Sequence, residues 1–276
     1  MNSRNSCNVK VIDSHNHIHF RAFRHDMDQV IERATSSGVL SMLAVGIDPK
    51  DCRKVLSVAK AHQGICVALG IHPQNGNAYR SVDVYALKDL VYDSPVVAVG
   101  ETGFDLYRTP ESANEQRSLF IAHIELAREL GLPLVIHDRM AHDETCEVLD
   151  DMNAWNLGGV FHCFSGDEKL ARFVTRKGFF ISIPGVVTFK NAKELKEVVK
   201  HTPMEFLLAE TDAPYLAPEP YRGKRNEPQF VIRIIEEMAE IKGLSCEEVA
   251  RTTTENFERL FLRAQKTINK ERAEMS

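Results

Sequence analysis

Eight short apolar runs recur along the chain, each closed by polar residues and followed by a longer stretch with helical spacing. They cover residues 9–17, 39–48, 65–73, 96–105, 133–139, 159–166, 179–187 and 206–214. A strand followed by a helix, repeated, lays successive strands side by side and parallel through right-handed crossovers. Val96, Val97, Ala98 and Val99 follow one another without polar alternation, which suits strands covered on both faces. Eight such units predict an α/β fold, a (β/α)8 TIM barrel. Segments 112–130 and 167–177 carry charge on one face and apolar side chains on the other, as an outer helical ring requires. Two more helices are predicted over 228–242 and 245–263, the second opened by Ser245 and Glu248 in a capping-box pattern.

With 276 residues, 43% hydrophobic and 26% charged, the chain has the size of one such barrel. Residues 1–276 are therefore predicted as a single domain, with a polar tail that frays from about 264. The first ten residues contain no apolar h-region, and no stretch approaches the roughly 18 apolar residues of a membrane span. The expectation is a soluble, cytoplasmic protein with no membrane partner and no obligate protein partner. Six cysteines lie far apart without a C-x-x-C pair, which argues against a thiolate zinc site or a small disulfide framework. A net charge of -5 disfavours a surface that grips nucleic acid all over, yet permits a local basic patch beside an acidic cleft.

In a barrel of this kind, chemistry gathers at the C-terminal ends of the strands. The residues near those ends are one-sided in type. His15, Asn16 and His17 close the first run, His72 the third, Glu101 the fourth, His137 the fifth, His162 the sixth, and Glu210 with Asp212 the eighth. His15 and His17, two apart on an extended strand, share a face and can chelate one ion if the register turns that face inward. An imidazole closing an apolar run is costly unless ligated or hydrogen-bonded. Four imidazoles and two carboxylates suffice for two divalent metal ions with positions left for water. Mg2+ suits phosphate chemistry, while Zn2+ or Mn2+ suits the imidazoles. The candidate catalytic residues are Glu101, as a bridge between ions about 3.5 to 4 Å apart, Asp212, as acceptor of a proton from the attacking water, and His72. His72 is read either as support for the ligands or as a substrate contact. His19 shares the face of the His15 and His17 pair and borders the site. His25, His62, His123, His142 and His201 fall in or near helical segments and are read as solvent-facing.

The motifs Asp13-Ser14-His15-Asn16-His17, Gly70-Ile71-His72-Pro73, Gly100-Glu101-Thr102-Gly103-Phe104-Asp105, Pro133 to His137, His162-Cys163-Phe164-Ser165-Gly166 and Glu210-Thr211-Asp212-Ala213-Pro214 occur in that order. With Arg222-Gly223, Asn226-Glu227-Pro228 and the late Asn256 to Phe261, they make the chain resemble the TatD family of metal-dependent deoxyribonucleases, within the amidohydrolase superfamily, over nearly its whole length. The resemblance implies a barrel of the metal-dependent hydrolase type, two divalent metals and a DNA substrate, often cleaved as a 3'-5' exonuclease. It implies that His15, His17, Glu101 and Asp212 hold one metal and that Glu101, His137 and His162 hold the other. Glu210 would stand close behind the ligands, and His72 and Arg139 would contact the substrate phosphate.

Two other readings use the same residues. A related amidohydrolase would cleave an amide, ester or lactone of a small molecule, although many such enzymes bridge their metals with a carbamylated lysine where this chain has Glu101. A non-catalytic barrel could bind nucleic acid or protein through the cleft. Beyond the eighth run, Tyr221 to Asn226 places Arg222, Lys224 and Arg225 on the same rim, where they are expected to receive flanking phosphates.

Overall fold

The computed structural model describes residues 9–91 and 95–262; the tail predicted to fray lies outside them. The eight strands are β1 Val11–Asn16, β2 Val39–Val45, β3 Ile65–Leu69, β4 Val96–Asp105, β5 Leu134–Arg139, β6 Gly159–Phe161, β7 Phe180–Ile183 and β8 Leu207–Ala209. They pair in chain order, each parallel to the next. The sheet curls until its edges meet: His17 N donates to Ala213 O at 2.7 Å, and Asp212 N to His15 O at 2.9 Å.

The helices are α1 Met27–Ser36, α2 Pro49–Ala61, α3 Ser81–Tyr85, α4 Lys88–Val91, α5 Ala113–Leu130, α6 His142–Asp151, α7 Glu168–Arg176, α8 Lys193–His201, α9 Val231–Lys242 and α10 Cys246–Phe257. Local chemistry sets several ends. Asp48 accepts from Lys50 N and Asp51 N ahead of α2, with Pro49 at its first position, and Asp167 accepts from Leu170 N ahead of α7. Ser245 accepts from Glu248 N at the start of α10, one of the two hydrogen bonds of the expected capping box. Gly131 and Gly243 end α5 and α9 in the left-handed conformation. No helix among the described residues is long and apolar enough to cross a membrane.

The core has two layers. Between strands and helices lies a large cluster containing Val11, Leu69, Phe104, Phe120, Ile136, Phe179 and Ile235. Inside the barrel, Ile12, Leu43, Val45, Val97, Val135, Val160, Phe180 and Leu208 fill the interior, and Phe257 and Phe261 plug its N-terminal end. The interior is thus packed at one end, leaving the C-terminal end open for polar groups.

All the strands but β4 are shorter than their apolar runs, and three of them stop short of proposed site residues. β6 stops before His162, β8 stops before Glu210, and β3 ends at Leu69, so His162, Glu210, Asp212 and His72 stand on loops just beyond strand ends. Cys163 (φ 44°) and Asp212 (φ 54°) adopt the left-handed conformation, which no strand continues. β4 instead fills its whole run, 96–105. It runs on to Asp105, so Glu101 lies within the strand and does not close it.

Candidate metal centre

Glu101 reaches the middle of the site because β4 is irregular there. Gly100 pairs with Val135 and Thr102 with Ile136, which leaves Glu101 as an extra residue in a bulge. A bulge breaks the alternation of side chains and re-aims one of them. Gly100 and Gly103 make this possible: both have positive φ, and a Cβ would stand 2.4 Å from Val135 O at the first and 2.2 Å from His137 O at the second.

A second irregularity serves the histidine pair. Ile12 joins the inner cluster and Ser14 bonds to Ser182 across the barrel, so simple alternation would turn His15 away from the interior. Between Asp13 and Asn16, however, β1 advances three residues against two of β2, from Met42 to Ala44. The pair meets at the top of the barrel through that shift.

The two oxygens of Glu101 face two different groups. Oε1 lies 2.7 Å from His137 Nδ1, 2.8 Å from His162 Nε2 and 3.2 Å from His72 Nε2. Oε2 lies 3.5 Å from His15 Nε2 and 3.9 Å from His17 Nε2. Asp212 Oδ1 joins the second group, 3.6 Å from His17 and 4.0 Å from His15. The residues expected as ligands on sequence grounds therefore converge, and His72 comes as close to the central carboxylate as they do.

The arrangement fits a divalent cation. His15 Nε2 and His17 Nε2 stand 3.4 Å apart, and His137 Nδ1 and His162 Nε2 3.2 Å apart. His15 Nδ1, His137 Nε2, His162 Nδ1 and Glu210 Oε2 are buried without a hydrogen-bond partner, an uncommon condition for buried polar atoms. Imidazole and carboxylate donors converging in this way are the donor types that divalent metals take.

Charge within the cluster is polarised. Burial raises the Glu101 carboxyl, but His162, His72, His137 and His15 outweigh it and hold the group well below the ordinary carboxylate range. Burial also raises Asp212, and His17 and His15 bring it below its usual value. Both are ionised at neutral pH. Burial lowers His162, which Glu101 and Glu210 nevertheless lift well above the usual imidazole value. Burial together with His162 leaves His15 lowered.

Residues that sequence reasoning did not single out hold Asp212 in place. Asp13 accepts from Thr211 N at 2.8 Å, from Thr211 Oγ1 at 2.7 Å and from Asn16 Nδ2 at 3.0 Å. Burial pushes the Asp13 carboxyl up to about 7, against donors that favour its ionised form. Asn226, fully buried, donates to Thr211 O at 2.7 Å and to Tyr215 O at 2.5 Å. Behind the other group, Glu210 Oε1 accepts from Cys163 N at 2.7 Å and lies 3.4 Å from His162 Nδ1. Asp105 Oδ2 lies 3.3 Å from His137 Nε2 and accepts from Gln74 Nε2 at 2.6 Å.

His123 corrects its predicted exposure, because it is completely buried. Its Nδ1 donates to Leu119 O at 2.7 Å and its Nε2 accepts from Ile71 N at 2.9 Å, fixing the residue before His72. His123 falls on the stripe of Leu119, Phe120, Leu126 and Ala127, so helical spacing carried the signal. His19 turns aside to Asp51, 2.7 Å from its Oδ2.

A cavity of about 700 Å³ opens above the cluster, lined by Glu101, His72, His137, His162 and Asp212 and by Arg108, Arg139, Phe20, Tyr215 and Leu216. The exposed Arg139 thus faces the site, its guanidinium 4.4 Å from the Tyr107 ring centroid. The loop beyond β8 is less uniform than its basic sequence suggests. Arg222 stacks on Phe189 at 4.3 Å and does not line the cavity, whereas Lys224 is exposed. Arg225 forks onto both oxygens of Asp26 at 2.8 and 2.7 Å and onto Glu227 at 2.9 Å, so its charge is neutralised within the fold.

Comparison with known proteins agrees with this geometry. Residues 12–262 match the family of TatD related DNases. The chain is 39% identical over 251 residues to the uncharacterized metal-dependent hydrolase YabD of Bacillus subtilis, covering 91% of this chain and 98% of that protein. It is 34% identical over 247 residues to the 3'-5' ssDNA/RNA exonuclease TatD of Cronobacter sakazakii, covering 87% and 94% of the two chains. Among solved structures, YJJV, a TatD homologue from Escherichia coli, superposes with a TM-score of 0.85 at 29% identity, over 92% of this chain and 98% of that one. A barrel of eight parallel strands, a histidine and carboxylate cluster at its C-terminal end and relatedness along nearly the whole chain lead to one conclusion: the chain belongs to the TatD family of metal-dependent hydrolases.

Proposed function

We propose that the protein is a deoxyribonuclease that hydrolyses DNA phosphodiester bonds as a 3'-5' exonuclease with two divalent metal ions. The observation that carries this reading is the position of Glu101, whose Oε1 faces His137 and His162 while its Oε2 faces His15 and His17. A single carboxylate so placed is what a bridge between two ions requires. His15, His17, Glu101 and Asp212 would hold one ion, and Glu101, His137 and His162 the other. Mg2+ is the expected ion, with Mn2+ or Zn2+ as competent substitutes. When bound, such ions would supply Lewis acidity toward the phosphodiester oxygens and lower the pKa of the attacking water.

The chain's own groups do the remaining work. Asp212, ionised and bordering the cavity, accepts a proton from the attacking water. His72 and Arg139 border the same cavity and hold the scissile phosphate. Glu210 and Asp105 stand behind His162 and His137 at 3.4 and 3.3 Å, where each would orient its ring once the ring's other nitrogen holds an ion.

The test is a substrate panel on metal-loaded protein, comparing a single-stranded deoxyoligonucleotide labelled at its 5' end with amide, ester and lactone substrates. Stepwise shortening of the oligonucleotide from its 3' end is expected. Turnover of a lactone or amide without cleavage of the oligonucleotide would replace this reading by the small-molecule amidohydrolase.

A further inference from the structure

Four of the eight exposed large apolar side chains among the described residues follow strands whose C-terminal ends carry the site. Tyr107 follows β4, Met140 follows β5, and Tyr215 and Leu216 follow β8; they are 58%, 70%, 54% and 37% exposed. Met140 (φ 56°) and Leu216 (φ 54°) also sit in the left-handed conformation, which bulky residues occupy only when the surroundings impose it. Apolar groups displayed around a polar cleft mark a surface that a ligand covers.

The two sides of this mouth differ. On one, Arg139 and Arg108 line the cavity, with their guanidinium carbons 4.4 and 5.5 Å from the centroid of the Tyr107 ring behind them. On the other, Phe20, Tyr215 and Leu216 line it, and no arginine or lysine is among the lining residues of that wall. Tyr215 is held by its backbone, its N bonding to Asp212 O at 2.9 Å and its O to Asn226. Its ring makes T-shaped contacts with Phe20 and His17, with centroids 6.4 and 6.5 Å apart, and still leaves over half its surface open. A rigid, exposed aromatic ring three residues from a proposed ligand is a surface on which a flat ring can lie.

Resting on the phosphodiesterase reading, we propose that Tyr215 is a stacking platform for the unpaired base beside the scissile phosphate, and that Arg108 takes the neighbouring phosphate on the opposite wall. The geometry selects a single strand. Glu101 and His17 line the cavity but are only 2% and 4% exposed, so the phosphate must descend while its base lies against Tyr215. A base held in a duplex stack cannot do both. Stacking also reads no base edge, so the preference is for unpaired nucleotides of any sequence.

The experiment uses full-length, Mg2+-loaded protein and single-stranded phosphorothioate oligonucleotides carrying 2-aminopurine beside the 3' end, whose fluorescence falls when the base stacks. Wild type is expected to bind with quenching. Tyr215→Leu is expected to lose roughly tenfold in affinity, equally for different sequences and with an unchanged salt slope, together with the quenching. Tyr215→Phe should keep both, because the ring carries the interaction. Arg108→Ala is expected to lower the slope of log affinity against log salt by about one. If wild type cleaves bis(4-nitrophenyl) phosphate and binds the oligonucleotide, but Tyr215→Leu binds with the same affinity and quenching, the platform is overturned and the phosphodiesterase reading stands. If wild type cleaves neither that diester nor DNA and binds no oligonucleotide, both fall.

Discussion

Asp13 and Thr211 are joined twice, the buried carboxylate accepting both the backbone N–H at 2.8 Å and the hydroxyl at 2.7 Å, and this pair fixes where Asp212 stands. Thr211 Oγ1 also receives Ala213 N at 3.2 Å, so one hydroxyl braces the turn on both sides of Asp212. Thr211→Val keeps the shape and deletes that hydroxyl. Because it leaves a buried carboxylate short of a donor, a loss of about 1–3 kcal/mol of stability is expected by denaturant unfolding. Turnover should fall with it at full metal occupancy, and unchanged stability and turnover would remove the brace from consideration.

How much of this was visible in the sequence depends on whether a feature is written in local pattern. The apolar runs gave the strands and their order, because parallel strands buried on both faces leave continuous Val, Ile and Leu stretches in the chain. His15, His17, His137, His162, Glu101 and Asp212 stood out as ionisable groups at or near the ends of those runs. The bulges at Glu101 and between Asp13 and Asn16 did not, since register is decided by the neighbouring strand. Nor did the roles of Asp13 and Asn226, which depend on contacts 198 and 15 residues away. His123 was legible but misread, its place on the apolar stripe of α5 outweighed by a general expectation that helical histidines face water. Arg225 looked like a phosphate ligand until Asp26 and Glu227 were seen to neutralise it.

Glu101→Gln tests the shared carboxylate. Removing one charge from between the two groups should weaken metal binding in both, so calorimetric titration with Mn2+ should show both binding events impaired. Turnover should drop by at least about 100-fold, the upper range for merely disturbing a ligand's support. One site binding at wild-type affinity would mean that Glu101 belongs to a single ion.

His123 predicts an acid-labile share of stability. Burial lowers its pKa from 6.5 to about 4, and protonation would set a second donor against the Ile71 N–H. The folded chain therefore binds fewer protons than the unfolded chain between these values. The stability due to neutral His123 is complete above about 6.5 and declines as the pH falls towards about 4, by roughly 3 kcal/mol in all. In metal-free protein, the loss of stability between pH 7.5 and 4.5 should be smaller for His123→Gln than for wild type. Equal losses would refute the assignment.

Arg225 and Arg139 should separate structural from substrate-facing charge. Arg225→Ala breaks a forked pair with Asp26 that is about one-third exposed, so a cost of roughly 1 kcal/mol is expected, with no change in the salt dependence of oligonucleotide binding. Arg139→Ala should leave stability nearly intact and lower the salt slope by about one. The reverse pattern would place the phosphate track on the loop beyond β8.

The most direct test follows cleavage of a single-stranded deoxyoligonucleotide while Mg2+ or Mn2+ is returned to chelated protein, with metal content measured by elemental analysis at each point. No cleavage is expected in the metal-free protein, with activity rising to its maximum as two ions per chain are bound. Full cleavage by protein shown to contain no metal would contradict the proposed mechanism.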